Sequence, residues 1–445
     1  MDLRERINTS KMSPYQWAII GMCVLLNALD GFDVLAMAFT ANGVTKEFGL
    51  TGSELGVLLS AGLVGMAIGS LCLAPLADII GRRPMIIGSV GAAGAGMLLA
   101  ATAGHMAQLG IWRFLTGLGV GCILACTNVI ASEYSSKKRR GLSIGIYTAG
   151  YGIGATLGGA AAVYLQSQYG WRSVFVFGGI CTLSILVVLL FLLPESVDFL
   201  VTKRPRNAVG RLNQIARKTG HPEVSVLPDV QAEARSKANP ISDLLTPVNR
   251  RSTLLLWVAF FATMFGFYFV NSWTPRLLVT AGMTESQGIT GGLMLTLGGI
   301  FGSVLYGVLA SKWNSKIVLV AFMVLSAVMI VVFISAASVV LLALGAGVLV
   351  GMLINGCIAG LYTIAPSLYP ASVRSTGVGW GIGIGRIGAI IAPLITGALL
   401  DASWSAVQLY LGVGVVVLIS AAAVGMIRSK APAKDTASAE ELTEV

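Results

Sequence analysis

The sequence predicts an all-α membrane protein of twelve transmembrane helices arranged as two pseudo-symmetric six-helix bundles. Three observations carry that prediction. Mean hydropathy is +0.82, and only 11% of residues are charged, where a soluble domain carries roughly 25%. Twelve apolar runs approach the roughly 20 residues that a helix needs to cross about 30 Å of hydrocarbon. The second half of the chain also overlays the first at a shift of 234 residues.

The runs lie near 15–38, 54–77, 84–104, 107–131, 141–166 and 172–193. After a polar stretch they resume near 252–280, 287–310, 316–336, 338–364, 375–400 and 405–427. The chain therefore divides into an N-terminal bundle (1–193), a central loop (194–250), a C-terminal bundle (251–427) and a tail (428–445). Fifty-five glycines suit closely packed membrane helices, where small residues let backbones approach. The first run is too long, and lacks the small-residue cleavage site, for a removable signal peptide.

Alternate loops differ in charge. The N-terminal tail, Arg82–Arg83, Lys137–Arg140, the central loop through Arg251, Lys312, Lys316, Arg374 and the C-terminal tail hold 25 of the 30 basic residues. The other side holds Lys46, Arg172 and Arg276, leaving Arg113 and Arg386 for the membrane interior. By the positive-inside rule both termini and the central loop are cytoplasmic, in a multi-pass protein of the bacterial inner-membrane type. The basic surplus thus orients the chain and gives no reason to expect a nucleic-acid partner. The central loop is read as a solvated connector.

No enzyme is expected. The six cysteines fall inside apolar stretches without metal-ligand spacing, and His105 and His221 stand in loop and polar segments. Neither a metal nor a cofactor is expected. Gly383-x-Gly385-x-x-Gly388 imitates a dinucleotide fingerprint, but it lies inside a membrane run with no strand before it.

At the shift of 234, Arg140 falls on Arg374, Gly145 on Gly379, Ile153-Gly154-Ala155 on Ile387-Gly388-Ala389, Ala131 on Ala365 and Gly117 on Gly351. One offset thereby joins span 5 to span 11 and span 4 to span 10, as two parallel halves require. The charged residues do not repeat: Gly152 falls on Arg386, Arg113 on Gly347 and Glu133 on Ser367.

With these features the chain resembles the major facilitator superfamily. That family's loop signature G-x-x-x-D-R-x-G-R-R reads here Ala74-Pro75-Leu76-Ala77-Asp78-Ile79-Ile80-Gly81-Arg82-Arg83, with the leading Gly and first Arg replaced. The resemblance implies a cytoplasmic ion-pair latch between the bundles, built from Asp78, Gly81, Arg82 and Arg83, with Arg374 at the start of span 11. The loop after span 8 has no acid to match. Arg113-x-x-x-Gly117-x-Gly119-x-Gly121 is similar to the family's span-4 pattern. Gly154-Ala155-Thr156-Leu157-Gly158-Gly159 resembles the antiporter signature, with Ala155 where antiporters place Pro. That departure favours symport over efflux. More narrowly, Asp30-Gly31-Phe32-Asp33, Leu193-Pro194-Glu195-Ser196, Asn271-Ser272-Trp273-Thr274-Pro275 and Gly385-Arg386-Ile387-Gly388-Ala389 look like the aromatic acid:proton symporter branch. This implies import of a benzoate-type carboxylate with protons, by a monomer whose other partner is membrane lipid. Symport of another small organic anion such as a sugar acid, and proton-coupled efflux, are the alternatives.

Ionisable residues at membrane depth are functional candidates by default, since each costs about 2.5–3.5 kcal/mol to insert. Counted back from Ala38, Asp33 and Asp30 lie roughly 8 and 12 Å into span 1, on one helix face. Arg113 lies roughly 9 Å into span 4, a neighbour of span 1 in the resembled fold. An Asp33–Arg113 or Asp30–Arg113 ion pair is expected, with Asp33 taken as the proton carrier. Glu133, ending span 4, completes the proton-coupling candidates and reads also as a second latch. Arg386, roughly 18 Å into span 11, has no acid in its own half nearby and suits a bidentate substrate carboxylate; pairing with an aspartate of the other half is the competing reading. Flat walls for an aromatic ligand would come from Tyr147, Tyr151, Phe265, Tyr268, Tyr362 and Trp380, with Asn355 as a polar group.

Overall fold

A computed structural model describes residues 3–224, 244–247, 249–369 and 373–427 of the chain. The tail 428–445 and much of the central loop lie outside the described residues. The twelve spans are Pro14–Phe48, Gly52–Ile80, Arg82–Ala101, Met106–Glu133, Arg140–Tyr169, Arg172–Leu192, Arg250–Thr280, Glu285–Lys312, Ser315–Ser335, Val340–Leu368, Arg374–Asp401 and Ala406–Met426. Eleven are long and apolar enough to cross a membrane; span 5, Arg140–Tyr169, is long enough but too rich in glycine, threonine and tyrosine. Spans 1, 2, 8 and 12 open with reciprocal caps, Ser13 with Gln16, Thr51 with Glu54, Thr284 with Gln287 and Ser405 with Gln408. A π-helical turn, Gly69–Leu73, interrupts span 2.

Span 1 departs most from the sequence reading. The apolar run ends near residue 38, but the helix continues through Asn42, Lys46 and Glu47 to Phe48 and stops at Gly49, whose φ is 63°. Asp30 and Asp33 are therefore near the middle of a 35-residue helix, not in its outer half. They stand at about the level of Arg386, itself near the middle of span 11.

Spans 1–6 form one half and spans 7–12 the other, and the halves meet through spans 2 and 11, 5 and 8, and 1 and 7. Close helix approach explains two of the repeated glycines. A Cβ at Gly117 would overlap the backbone of Gly62 in span 2, and one at Gly351 would overlap the backbone of Leu295 in span 8. The two halves thus share one packing device.

Because successive spans alternate direction, the ends rich in Lys and Arg share one face, here the basic face. Every hydrogen bond between spans 1–6 and spans 7–12 among the described residues lies toward the opposite face. The Ser60 hydroxyl donates to the Ile390 carbonyl at 2.8 Å, Thr156 and Thr296 hydroxyls meet at 3.2 Å, and Arg276 Nη1 donates to Asn42 Oδ1 at 2.9 Å. Asp401, closing span 11, accepts from the amides of Gly52 and Ser53 at 2.6 and 2.8 Å and from the Ser53 hydroxyl at 2.5 Å. A carboxylate is thus held at the positive end of span 2's dipole, across the boundary between halves. Toward the basic face no hydrogen bond joins the halves among the described residues, and Val304, lining a cavity between them, is 66% exposed.

A layer of short helices caps the N-terminal half on the basic face: Leu3–Thr9, Val197–Lys203 and Ala208–Thr219. Leu3, Ile7, Leu200, Leu212 and Ile215 pack into one cluster with Ile19, Cys23 and Tyr134. The first part of the central loop is therefore docked structure, not a solvated connector; its apolar residues recur at helical spacing among charges, and that stripe has somewhere to go.

Replacing Asp401 by Ala removes a carboxylate at the positive end of span 2, worth about 0.3–2 kcal/mol, so the closed far face should lose roughly two- to thirty-fold in population. Spin labels at the far ends of spans 2 and 11 should then report a longer distance in a larger fraction of molecules.

Candidate functional site

The membrane interior of the N-terminal half holds a closed ion pair. Arg113 Nη1 donates to Asp33 Oδ1 at 2.7 Å, and Nη2 donates to the Asp33 carbonyl at 2.8 Å. Both side chains are buried, and the guanidinium lies 5.8 Å from the Phe175 ring centroid. The fork thus ties span 4 to both the side chain and backbone of span 1. Of the two expected pairings, Asp33–Arg113 is the one that forms. Asp30, one turn earlier on the same face, is 3% exposed, and its Oδ1 is buried without a hydrogen-bond partner among the described residues. A pocket of about 20 Å³ lies beside Asp30, Asp33, Thr116 and Thr182, room for about one water.

Arg386 faces Asp30 across the boundary. It interacts electrostatically with Asp30, Tyr268 and Tyr362 and has no hydrogen bond or ion pair among the described residues. The cross-half aspartate named as a competing partner is therefore nearby, without direct contact. Tyr268 packs edge-on against Phe267 at 5.2 Å, and Tyr362 edge-on against Phe260 at 5.8 Å. Tyr268 of span 7 and Tyr362 of span 10 thus stand within electrostatic range of this guanidinium.

Beside this centre lies a cavity of about 330 Å³ between spans 5, 7, 8 and 10. Tyr151, Phe267, Asn271, Thr296 and Asn355 line it, with Thr148 and Ser303 toward the basic face. The Tyr151 hydroxyl is buried without a hydrogen-bond partner among the described residues, and the Thr156–Thr296 contact closes the cavity on the far side. Tyr151 and Asn355 were expected from the sequence; Phe267, Asn271 and the hydroxyls of Thr148, Thr296 and Ser303 were not. The available signal was polar residues recurring about one helical turn from a glycine on spans 5 and 8, such as Thr148 before Gly152 and Thr296 before Gly299.

Three expected wall residues lie elsewhere. The Tyr147 hydroxyl shares a hydrogen bond with Thr127 at 3.1 Å inside the N-terminal half. Phe265 is buried against Phe261. Trp380 packs on Trp257, 40% exposed, and is not among the residues lining the cavity.

Glu133 also moves. It ends span 4 at the basic face, where its carboxylate is gripped by Arg82 and by the Ser196 hydroxyl at 2.6 Å, away from Asp30 and Asp33. Around it Arg82 meets Asp78 at 3.2 Å, Arg83 donates to the Leu190 carbonyl at 2.7 Å, and Arg4 reaches Asp198 at 3.3 Å. Glu195 accepts from the amides of Arg82, Arg83 and Ser196 at 2.8, 3.1 and 2.9 Å. Gly81 has φ 114°, and a Cβ there would press on the Glu195 carboxylate at 2.6 Å, which explains glycine in the signature. All these partners belong to the N-terminal half and its docked helices. The expected latch between bundles is, in this conformation, a brace within one bundle: among the described residues none of these side chains has a partner in the other half. Arg374 is exposed at the start of span 11.

Sequence comparison places these features among known proteins. The pattern of the Major Facilitator Superfamily matches residues 21–314 and again 292–444. The 4-hydroxybenzoate transporter PcaK of Pseudomonas aeruginosa is 33% identical over 411 residues, covering 91% of each chain. The gallate transporter of Pseudomonas putida is 31% identical over 408 residues, covering 90% of this chain and 89% of that one. In fold, the chain is similar to the xylose transporter XylE from E. coli in a partially occluded inward-open conformation, with a TM-score of 0.69 at 16% identity, over 92% of this chain and 97% of that one.

Removing one partner of the buried pair is costly because the other charge is left behind. Asp33→Asn should lower stability by about 3–5 kcal/mol, read as a fall in melting temperature of the detergent-solubilised protein. The double replacement Asp33→Leu with Arg113→Met should recover most of that loss.

Proposed function

The chain belongs to the Major Facilitator Superfamily, and from that premise we propose that it is a symporter importing a small aromatic carboxylate with protons by alternating access. The basic face is then cytoplasmic, and the conformation described above is the inward-open one. The named substrates of the relatives, 4-hydroxybenzoate and gallate, support the substrate class.

The observation that carries the reading is Arg386: a permanent charge near the middle of a membrane span, without an ion-pair partner among the described residues, beside Tyr268, Tyr362 and Asp30. Its planar fork suits a bidentate carboxylate, and an aromatic ring on that carboxylate would extend toward Phe267 and Tyr151. Asp30, not Asp33, is the proton carrier in this scheme. Asp33 is neutralised by Arg113 and holds the scaffold, whereas Asp30 lacks a hydrogen bond that would support its charge.

Coupling follows from competition. Ionised Asp30 draws Arg386 toward itself across the boundary. When Asp30 takes a proton, the guanidinium is released to the substrate carboxylate. Proton and substrate therefore load together, and the loaded centre carries no added charge as the halves rock. Deprotonation toward the cytoplasm restores the attraction and expels the substrate. Energetically the proton is needed, because an anion entering a negative interior climbs about 2.3 kcal/mol per 100 mV. One proton cancels that charge, and the pH gradient contributes about 1.4 kcal/mol per unit.

Uptake into proteoliposomes under an imposed pH gradient tests the scheme. Benzoate, 4-hydroxybenzoate and gallate should accumulate, and sugar acids should not. Asp30→Asn should abolish gradient-driven accumulation while retaining exchange of labelled for unlabelled substrate; accumulation by that variant would remove Asp30 from the role. Arg386→Gln should raise the half-saturation concentration roughly ten- to hundred-fold, the loss of one charge-assisted pair.

A further inference from the structure

On the basic face, a second cavity of about 220 Å³ lies between the start of span 1, the end of span 6 and the docked helix Ala208–Thr219. Its polar wall is made by Tyr15, Arg83, Arg211, Gln214 and Lys218, with Glu195 at its base. We propose that this cavity binds the phosphate-bearing headgroup of an anionic phospholipid.

Charge is the first argument. Glu195 is the one acid in the wall, and its Oε1 already accepts three backbone amides. Arg211 and Lys218 have no ion pair with an acid among the described residues, and Arg83 Nε is buried without a partner. Lys218 lies 5.2 Å from the Tyr15 ring centroid, which directs its ammonium over the cavity mouth. The adjacent Arg217 is different: Glu223 neutralises it at 2.6 Å. The helix therefore segregates its cations, one paired in solvent and two left over on the cavity side.

Helical spacing is the second. Arg211, Gln214 and Lys218 recur at three and seven positions, so they form one stripe. The opposite stripe, Leu212, Ala216 and Thr219, is buried on the bundle. This amphipathic helix is anchored by its own apolar face and offers a polar, cationic one to the cavity.

Membrane position is the third, and it decides between a lipid and a soluble phosphate. Phe191 and Leu192, at the end of span 6, line the same cavity and are 78% and 51% exposed. A free anion would make no use of that apolar rim. A lipid would lay its acyl chains along span 6 and place its phosphate among Arg83, Arg211 and Lys218. Basic pockets at the cytoplasmic ends of membrane helices suit such headgroups, each cation near the surface contributing about 1 kcal/mol.

The test uses the full chain purified in neutral detergent, with retained lipid counted by native mass spectrometry and melting temperature measured in parallel. Added phosphatidylglycerol should stay bound and raise the melting temperature, and phosphatidylcholine should do neither. In the double variant Arg211→Gln with Lys218→Gln, both exposed side chains, affinity for phosphatidylglycerol should fall roughly ten- to thirty-fold. The charge-preserving Arg211→Lys with Lys218→Arg should retain it, separating charge from helix docking. Glycerol phosphate at the same concentration should give no shift; an equal shift would make the occupant a soluble phosphate and overturn the proposal. Unchanged phosphatidylglycerol binding in the glutamine variant would overturn it as well.

Discussion

Hydrocarbon does not solvate ions, so a guanidinium placed there must be answered by something. This constraint organises the molecule. Arg113 is answered permanently, by both the carboxylate and the backbone of Asp33. The result is a fixed cross-tie between spans 1 and 4, one turn from Asp30. Arg386 is answered only at a distance. The same chemistry thus appears twice, once satisfied within a half and once left open between halves, and only the second arrangement has two states to choose between.

The halves touch in a way that suits such a choice. Their cross-boundary hydrogen bonds are few and gather toward one face, several of them made by main-chain amides and carbonyls. The ionic network on the basic face stays within the N-terminal half, where it stiffens the ends of spans 2, 3, 4 and 6 against the docked helices. A brace inside one bundle and a set of contacts at one rim between bundles together describe two bodies that can rock with little internal change.

The spans were legible because the bilayer imposes their length, and a pairing of Arg113 with a span-1 aspartate because ionised groups at membrane depth have few other partners; which of Asp30 and Asp33 it takes was not. Span 1's far end was not, because Asn42, Lys46 and Glu47 look like a loop yet continue the helix, and this error displaced Asp30 from the level of Arg386. The rotation of each span was the larger obscurity. A membrane helix is apolar toward core and lipid alike, so the sequence does not say which way an aromatic points. Tyr151, Tyr268 and Tyr362 stand at the centre, Tyr147 and Phe265 are taken up in packing, and Trp380 packs on Trp257, though all six look equivalent in a string of letters. Glu133 was legible as the end of span 4 on the basic face, but its partners Arg82 and Ser196 were not, because they come from segments distant in sequence.

Span 5 alone among the twelve lacks the apolarity to cross a membrane by composition. Its glycines let it lie against span 1, where a Cβ at Gly154 would overlap Ala28, and its Thr148 and Tyr151 line the cavity. A helix specialised for lining a water-filled path is poorly suited to leaving the translocon alone. Span 6, a strongly apolar helix joined to it by a short turn at Gly170, favours its partition into the membrane, so a polar substitution in span 6 is expected to weaken insertion of spans 5 and 6 together.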